Sequence, residues 1–407
     1  MKTRATASPT AGPVDVRATY LRFPRWSQPL WTWLTGRASP GQRPLVRHTW
    51  ASYLAVTLGV FGGGLLLSAA AMSTRFAYWY LAVVAGVVAT LAAARTMILV
   101  IAHQCIHRRF SGRPRLDRAI GELVTLLTVY YDAGTFRAEH FDAHHRAAVF
   151  ATSADPPVRS LIALGFRPTT ARRRLWRRAA VVVVSPQFYL TGCARRFWCN
   201  LTTGTWRRAA FLMWAGAWLS LPLWLSHGPE VVLVAFVIPL LPLAELSALL
   251  DRLGEHAWLT PRQPGYADRY YHVPATWARF CGAPVPAPGL TWASSLLAWL
   301  TWTVATLCYH LPCRLLVVVG DLPNHDFHHR HPGTWEWTVA AYARQRDIDR
   351  ADPEAPAYSE VWGLGRAIDR MFASLEKAEP LENAGPLENV GALEPTGRWG
   401  ALARLAR

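Results

Sequence analysis

The sequence predicts an all-helical integral membrane protein, with four transmembrane helices in two hairpins and a cytoplasmic helical cap that carries three histidine clusters. The chain has 407 residues, of which 52% are hydrophobic and 20 are tryptophan. It is more apolar and more aromatic than a soluble protein of this size needs to be. In addition, eight of its fourteen histidines lie in three short windows. These observations together set the fold class.

Four apolar runs are close in length to the ~20 residues that a transmembrane helix requires. They cover residues 53–72, 76–103, 209–224 and 231–250. The first two runs are separated only by residues 73–75, so the chain has to reverse there. The last two runs flank the short stretch SHGPE and predict a second hairpin.

The distribution of arginine predicts how these spans are oriented. Arginine clusters in the long insert between the hairpins, whereas the hairpin tips carry only Arg75. Because cytoplasmic loops are enriched in basic residues, we expect the insert and both termini in the cytoplasm, beneath a bacterial inner (plasma) membrane. The first fifty residues lack the short apolar core of a signal peptide, so the first span is expected to direct insertion. The clustered residues are Arg108, Arg109, Arg113, Arg115, Arg118, Arg172, Arg173, Arg174, Arg177 and Arg178.

Composition divides the chain into four parts. We expect a polar cytoplasmic segment at 1–47, a membrane domain at 48–345, a cytoplasmic C-terminal region at 346–375, and a low-complexity, disordered tail at 376–407. The tail contains three near-copies of one hexad, PLENAG, PLENVG and ALEPTG. Such segments rarely bury enough apolar surface to fold.

Charge and cysteine content exclude several kinds of protein. The net charge is +17, with Lys2 and Lys377 as the only lysines. No nucleic-acid partner is expected, because the arginines border apolar spans and form no aromatic-interleaved stripe. The six cysteines form no CxxC pair, which argues against a disulfide framework or a thiolate zinc site.

The three histidine clusters have the spacing of metal ligands. HQCIH places His103 and His107 four residues apart, on one face of a helix. EHFDAHH and NHDFHH repeat that four-residue relation and add adjacent rings. One zinc ion needs only three or four ligands, so this number of imidazoles predicts two metals with open positions. The later clusters contribute His140, His144, His145, His325, His328 and His329.

A fifth apolar stretch, 290–310, bears on whether the clusters can meet. A single membrane crossing there would put the third cluster on the opposite face from the other two. If the clusters converge, residues 290–319 have to form a re-entrant or interfacial element, or a helical hairpin interrupted around His310–Pro312. The Trp- and Leu-rich part of this stretch is a candidate wall for an apolar substrate tunnel, with a lipid-facing helix as the alternative.

HQCIH, EHFDAHH and NHDFHH, in this order, resemble the three histidine boxes of the membrane fatty acid desaturase and hydroxylase superfamily. The tetrad GEHA at 254–257 is similar to a Glu-His that many members carry after the fourth span, and Asp155-Pro156 also fits the family pattern. The resemblance covers about residues 48–345 and implies that this is the catalytic domain. It implies a non-haem di-iron centre with nine ligands: His103, His107, His140, His144, His145, His256, His325, His328 and His329.

The implied activity is oxidation, with O2 as co-substrate, at unactivated C–H bonds of a fatty acyl or lipid-like chain, as in a fatty acid desaturase. The implied partners are the lipid bilayer, the acyl substrate, and a separate electron donor, either a ferredoxin or a b-type cytochrome with its reductase. A hydroxylase or ketolase of a lipid or specialised metabolite is the alternative. The second box has three residues between its first histidine and the His pair, where many members have two, and the third box lacks the Tyr-His-x-Glu-His-His form. The substrate therefore stays open.

Two other classes are less favoured. A histidine-rich metal transporter would place its ligands inside the spans, with intramembrane carboxylates, and a membrane scaffold would need no histidine boxes. His310 is expected to be structural or pocket-lining, and His48, His227, His272 and His331 to lie outside the ligand set. The polar neighbours of the boxes are candidates for orienting the histidine rings: Glu139, Asp142, Glu255, Asp326 and Asn324.

Overall fold

The computed structural model describes residues 14–225, 227–260 and 268–381. This part of the chain is mostly helical, and four helices are long and apolar enough to cross a membrane: α3 (Trp50–Thr74), α4 (Trp79–Ile106), α11 (Gly228–Glu255) and α12 (Trp292–Leu316). The predicted helical fold is therefore confirmed, and the four helices suggest a membrane protein. Most of the predicted tail, from residue 382 onward, lies outside the described residues.

The remaining elements are shorter. Two three-residue strands, β1 (Ala278–Phe280) and β2 (Glu360–Trp362), pair in parallel. The other helices are α1 (Val16–Thr19), α2 (Gln28–Thr35), α5 (Pro114–Leu127), α6 (Ala133–Glu139), α7 (Pro156–Ala163), α8 (Arg172–Val184), α9 (Pro186–Thr202), α10 (Thr205–Ser220), α13 (His325–Arg330), α14 (Ala340–Arg350) and α15 (Leu364–Lys377). The domain boundary predicted at residue 345 falls inside α14.

Helices α3 and α4 pack closely against each other through small residues. A Cβ atom at Gly64 would lie 2.8 Å from the carbonyl oxygen of Gly86 and 2.6 Å from Oγ1 of Thr90. Only glycine permits this approach of the two backbones, which is a common basis for helix packing in membranes. Arg75, in the left-handed conformation, ends α3 at the turn.

The predicted third span, 209–224, differs from the structure. Helix α10 has 16 residues, about 24 Å, which is shorter than the hydrocarbon core of about 30 Å. A 3-10 turn, Leu221–Leu223, extends it. The segment still connects distant parts of the molecule: Arg207 bonds to Glu122 in the insert, whereas His227 lies 3.2 Å from Arg75 at the tip of the first hairpin.

The fifth apolar stretch forms one continuous helix, so, of the predicted alternatives, the hairpin interrupted around His310–Pro312 is wrong. Pro312 cannot donate a backbone hydrogen bond and would clash with the preceding turn, and α12 accommodates it with a π-helical turn, Thr306–His310. The Sγ atoms of Cys281 and Cys313 lie 3.7 Å apart, and the Gly282 amide donates to Nδ1 of His310 at 3.0 Å. Residues 282–312, here called the arm, therefore start and finish at the same place.

The N-terminal segment, predicted to be polar, packs against the arm through aromatic side chains. The Tyr20 ring lies 6.0 Å from Trp302, and Phe23 stacks on Trp31 at 4.6 Å. The helical part of the arm is open on its remaining surface, because no residue of Trp292–Ala305 is buried. This observation favours the lipid-facing alternative for α12 over the tunnel wall.

Buried charges connect the long helices. Asp251 in α11 accepts from Arg95 in α4 at 3.1 Å and from Arg279 in β1 at 2.6 Å, and both arginines are 2% exposed. Charged groups inside a membrane domain have to be paired to be tolerated. The carboxylate of Asp251 thus fixes β1, and through it the C-terminal strand β2, against α4 and α11.

Candidate metal centre

The structure brings all nine predicted ligands together in two adjacent groups. The donor atoms within each group lie within 4.8 Å of one another. The five-histidine group consists of His103, His107, His140, His145 and His328, and the four-histidine group consists of His144, His256, His325 and His329. The stacked rings of His145 and His329, with centroids 4.6 Å apart, form part of the boundary between them.

Local helix geometry decides which group each ring enters. The second cluster lies on a π-helical turn, His140–His144, where the amide of His145 bonds to the carbonyl of His140 at 3.1 Å. On an α-helix, residues five apart would point about 140° apart, whereas a π turn brings them to the same side. His140 and His145 therefore share one group, and His144 joins the other. A second π turn, Met97–Ala102, directly precedes His103.

The nitrogen spacing within the groups fits shared metal ions. Nε2 of His103 lies 2.8 Å from Nε2 of His140, which lies 3.0 Å from Nε2 of His145. In the other group, Nε2 of His325 and of His329 are 3.1 Å apart. Two nitrogens bound at right angles to one ion, each at about 2.1 Å, would be about 3.0 Å apart. The residues present therefore fit a bound metal in each group.

The ring nitrogens are buried and poorly satisfied by other protein groups. Among the described residues, Nε2 of His107, His144 and His256 has no hydrogen-bond partner. A buried unpaired polar atom is costly, and a coordinated metal ion would remove that cost. The unpaired ring nitrogens therefore also support a bound metal ion in each group.

Burial also keeps most of the rings neutral, as metal ligation requires. It lowers the pKa of His107 to about 3, with Arg137 adding to the effect. Burial, with added repulsion from neighbouring imidazoles, lowers the pKa of His140, His145, His328 and His329 well below the ordinary value. Neutral imidazoles offer a lone pair to a cation.

Asp155 orients the ring of His144 from outside the group. Its carboxylate lies 2.9 Å from Nδ1 of His144 and also accepts from the amide of Ala151 at 2.8 Å. Burial lowers the pKa of His144, but the charge and hydrogen bond of Asp155 outweigh it, so the pKa is raised. This contact puts the proton on Nδ1 and leaves Nε2 facing the other rings.

Four of the five predicted ring-orienting residues have other partners. Glu139 pairs with Arg195 at 2.7 Å, Asp142 with Arg137 at 3.5 Å, and Asp326 with Arg344 at 2.9 Å. Asn324 donates to the carbonyl of Gly36 at 3.0 Å. Nearby arginines thus offer the three carboxylates a stronger partner than an imidazole. Glu255 differs from them, with Oε1 only 3.1 Å from Nε2 of His325.

Sequence reasoning missed one histidine beside the site. His272 is 1% exposed and its ring stacks on His329, with centroids 5.8 Å apart. Burial lowers its pKa to about 3. A single histidine in DRYYHVP has no spacing signal, so nothing in the sequence could have indicated it. The other excluded histidines lie outside both groups, with His310 bonded to Gly282 and His331 to Asp347 at 3.2 Å.

No protein-family model matches the chain, and no curated protein matches it. The resemblance to the desaturase and hydroxylase superfamily therefore rests on the histidine clusters themselves.

Proposed function

We propose that this protein is a membrane-bound di-iron oxidoreductase that uses O2 to oxidise unactivated C–H bonds of a fatty acyl or lipid-like chain, as a fatty acid desaturase does. The observation that carries the proposal is the convergence of nine imidazoles, distant in sequence, into two adjacent groups with the nitrogen spacing of shared metal ions. The proposed ligands are the nine histidines of these groups.

The donor set favours iron. Structural zinc is satisfied by four ligands and catalytic zinc by three, whereas five histidines in one group exceed both. Imidazole suits iron, and two iron ions held side by side would supply the activation of O2 needed to attack an unactivated C–H bond. Carboxyl and imidazole groups alone cannot perform this oxidation by acid–base chemistry.

The protein's own residues provide binding, orientation and exclusion of water. Asp155 fixes the tautomer of His144, and the π turn at His140–His144 divides the second cluster between the two groups. Seven of the nine histidines are buried, so bulk water has little access to the centre. A dry site suits an oxidation whose reactive species water would otherwise quench.

The proposed topology places both histidine groups and both termini at the cytoplasmic face. Helices α3, α4 and α11 cross the bilayer, residues 205–225 traverse it with a helix shorter than usual, and the arm remains at the cytoplasmic interface. The closed path of the arm supports this arrangement, because the chain returns at Cys313 to the point it left at Cys281. Exposed apolar residues of α12 and of the N-terminal segment, such as Trp26 and Trp292, would contact lipid.

The reaction further requires a separate electron donor, a ferredoxin or b-type cytochrome with its reductase. The same metal centre could give a double bond or an alcohol, and the position of the chain relative to the metals would decide between them. A metal transporter is less supported, since the histidine groups lie at helix ends and in connecting segments rather than along a path through the spans.

The test combines metal analysis with product analysis. We expect about two irons per purified chain, consistent with two imidazole-rich groups. Extracts of cells that express the protein should contain a lipid-like product that has lost two hydrogens, or gained one oxygen if the enzyme is a hydroxylase. His144→Ala and His328→Ala, one from each group, should abolish the product, whereas His331→Gln should retain it.

Two results would contradict the proposal. One is a protein that binds only zinc at full occupancy, and the other is product formation that survives His328→Ala. Membrane insertion of each variant has to be verified by fractionation, so that loss of product is not confused with loss of the protein.

A further inference from the structure

Glu255 differs from Asp155, the ring-orienting carboxylate of His144, in which ring atom it faces. Its Oε1 lies 3.1 Å from Nε2 of His325 and 3.9 Å from Nε2 of His256. Nε2 of His325 is also the atom that lies 3.1 Å from Nε2 of His329. Glu255 therefore approaches the inner nitrogens of these rings, on the side where a metal ion would be bound.

Asp155, a carboxylate that orients a histidine ring in the same molecule, provides a comparison for Glu255. It contacts Nδ1 of His144, the outer nitrogen, and leaves Nε2 without a partner. A residue that orients a ligand has to contact the nitrogen that the metal does not use. Glu255 contacts the other nitrogen and cannot act in this way on His325.

The surroundings of Glu255 leave its carboxylate available. The buried or half-buried carboxylates of Asp251, Glu245, Glu122 and Asp326 each have an arginine nitrogen within 3.1 Å. Among the described residues, no such ion pair is formed by Glu255, whose side chain is only 18% exposed. A carboxylate so deeply placed is stable when it is paired with a cation, and a metal ion in the four-histidine group would provide one.

We propose that Glu255 is an oxygen ligand of the metal ion in the four-histidine group. The two sites then have five protein donors each, but they are chemically different: five neutral imidazoles in one, and four imidazoles with one carboxylate in the other. The negative charge of Glu255 would favour the higher oxidation state of the ion bound beside it, so the two ions would differ in reduction potential. This inference rests on the proposed function in treating both groups as metal sites, but it does not depend on the reaction catalysed.

The test uses Co2+ as the probe, because Co2+ binds imidazole and carboxylate donors and its visible spectrum reports its ligands. Metal-free wild-type protein should take up about two Co2+ per chain, one in each imidazole-rich group. After equilibration with a competing chelator, Glu255→Ala should retain about one ion, because only the four-histidine group loses a donor. Glu255→Asp, which keeps the carboxylate, should retain more cobalt than Glu255→Ala.

Asp142→Asn is the matched control, because Asp142 lies between two ligands in sequence but its side chain is 51% exposed and pairs with Arg137. It should bind both ions with the wild-type spectrum. Wild-type cobalt content and spectrum in Glu255→Ala and Glu255→Gln would overturn the assignment of Glu255 as a ligand. Failure of the proposed function would appear differently, as normal cobalt binding without an O2-dependent product from the iron-loaded protein.

Discussion

At the scale of single residues, the site depends on contacts that decide which nitrogen of each ring is free. Asp155 is fully buried, and it holds Nδ1 of His144 while accepting from the Ala151 amide. Its two bonds connect the second histidine cluster to the turn before α7. A neutral residue of the same shape would preserve the geometry. It would remove the negative charge that strengthens the binding of the His144 ring to a metal ion.

Asp155→Asn is therefore expected to weaken metal binding in the four-histidine group by roughly 10- to 100-fold while leaving the five-histidine group intact. Competition titration with a chromophoric chelator would separate the two ions by affinity. Asp142→Asn, which removes a carboxylate from the same segment, serves as the control and should bind both ions normally. Equal weakening of both ions by Asp155→Asn would contradict this role.

At the scale of helices and turns, the convergence of the three clusters could be predicted from the sequence. Which ring belongs to which of the two groups could not. The i, i+4 spacing correctly pairs His103 with His107 and His325 with His329. It fails for His140 and His144, because the π turn that pairs His140 with His145 arises from tertiary packing and has no residue signature. The burial of His272 could not be predicted from the sequence either, because it depends on contact with His329, which is distant in sequence.

The sequence predicted only one property of the arm, namely that its two ends lie on the same side of the membrane. If the third cluster was to meet the others, the chain could not end on the far side of the membrane. The ends of the arm meet at Cys281 and Cys313 through an irregular segment followed by a continuous helix, and the apolar length of that helix alone does not distinguish it from a span.

Cross-linking tests the closed path of the arm. The Sγ atoms of Cys281 and Cys313 are 3.7 Å apart, so a small shift brings them to the disulfide distance of about 2.05 Å. A membrane-permeant oxidant should link Cys281 to Cys313, as identified by mass spectrometry of the digested protein. Cys308, five residues earlier in α12 and exposed, should not link to Cys281. Labelling of positions 281 and 313 from opposite faces of the membrane would refute the closed path.

The shared carboxylate of Asp251 predicts an asymmetry between its partners. Asp251→Ala leaves two buried arginines unpaired and should destabilise the protein by about 3–5 kcal/mol or more. Arg95→Met removes one arginine but leaves Asp251 paired with Arg279 at 2.6 Å, so its effect should be smaller. Thermal unfolding in detergent would compare the two variants. A larger loss for Arg95→Met would show that Asp251 is not the centre of this network.

At the scale of the whole molecule, the histidine groups couple the fold to pH and to metal binding. The rings come from the end of α4, the π turn that follows α6, the end of α11, and α13, so the groups join segments from across the chain. In the absence of metal, burial favours the neutral form of His107, His140, His145, His328 and His329. The free energy of unfolding of the metal-free protein therefore decreases as the pH falls, and a bound metal ion offsets this loss.

The metal-free protein should accordingly lose stability as the pH falls from about 7.5 to about 5.5. Burial lowers the folded-state pKa of His107, His140, His145, His328 and His329, whereas in the unfolded chain each titrates near its ordinary value of about 6.5. Between those values the unfolded chain binds more protons, so stability is present above about pH 6.5 and is lost below it. At one pH unit below 6.5, each ring contributes at most about 1.4 kcal/mol to this loss.

Apparent melting temperatures of the metal-free protein in detergent, measured across this pH range, provide the test. The iron-loaded protein should show a smaller decrease until the pH is low enough for protons to displace the metal. His227→Gln, which removes an exposed histidine far from the groups, should reproduce the wild-type profile. A melting temperature that does not change with pH in the metal-free protein would mean that the rings are charged or exposed in the folded state, and the burial on which both metal sites depend would be wrong.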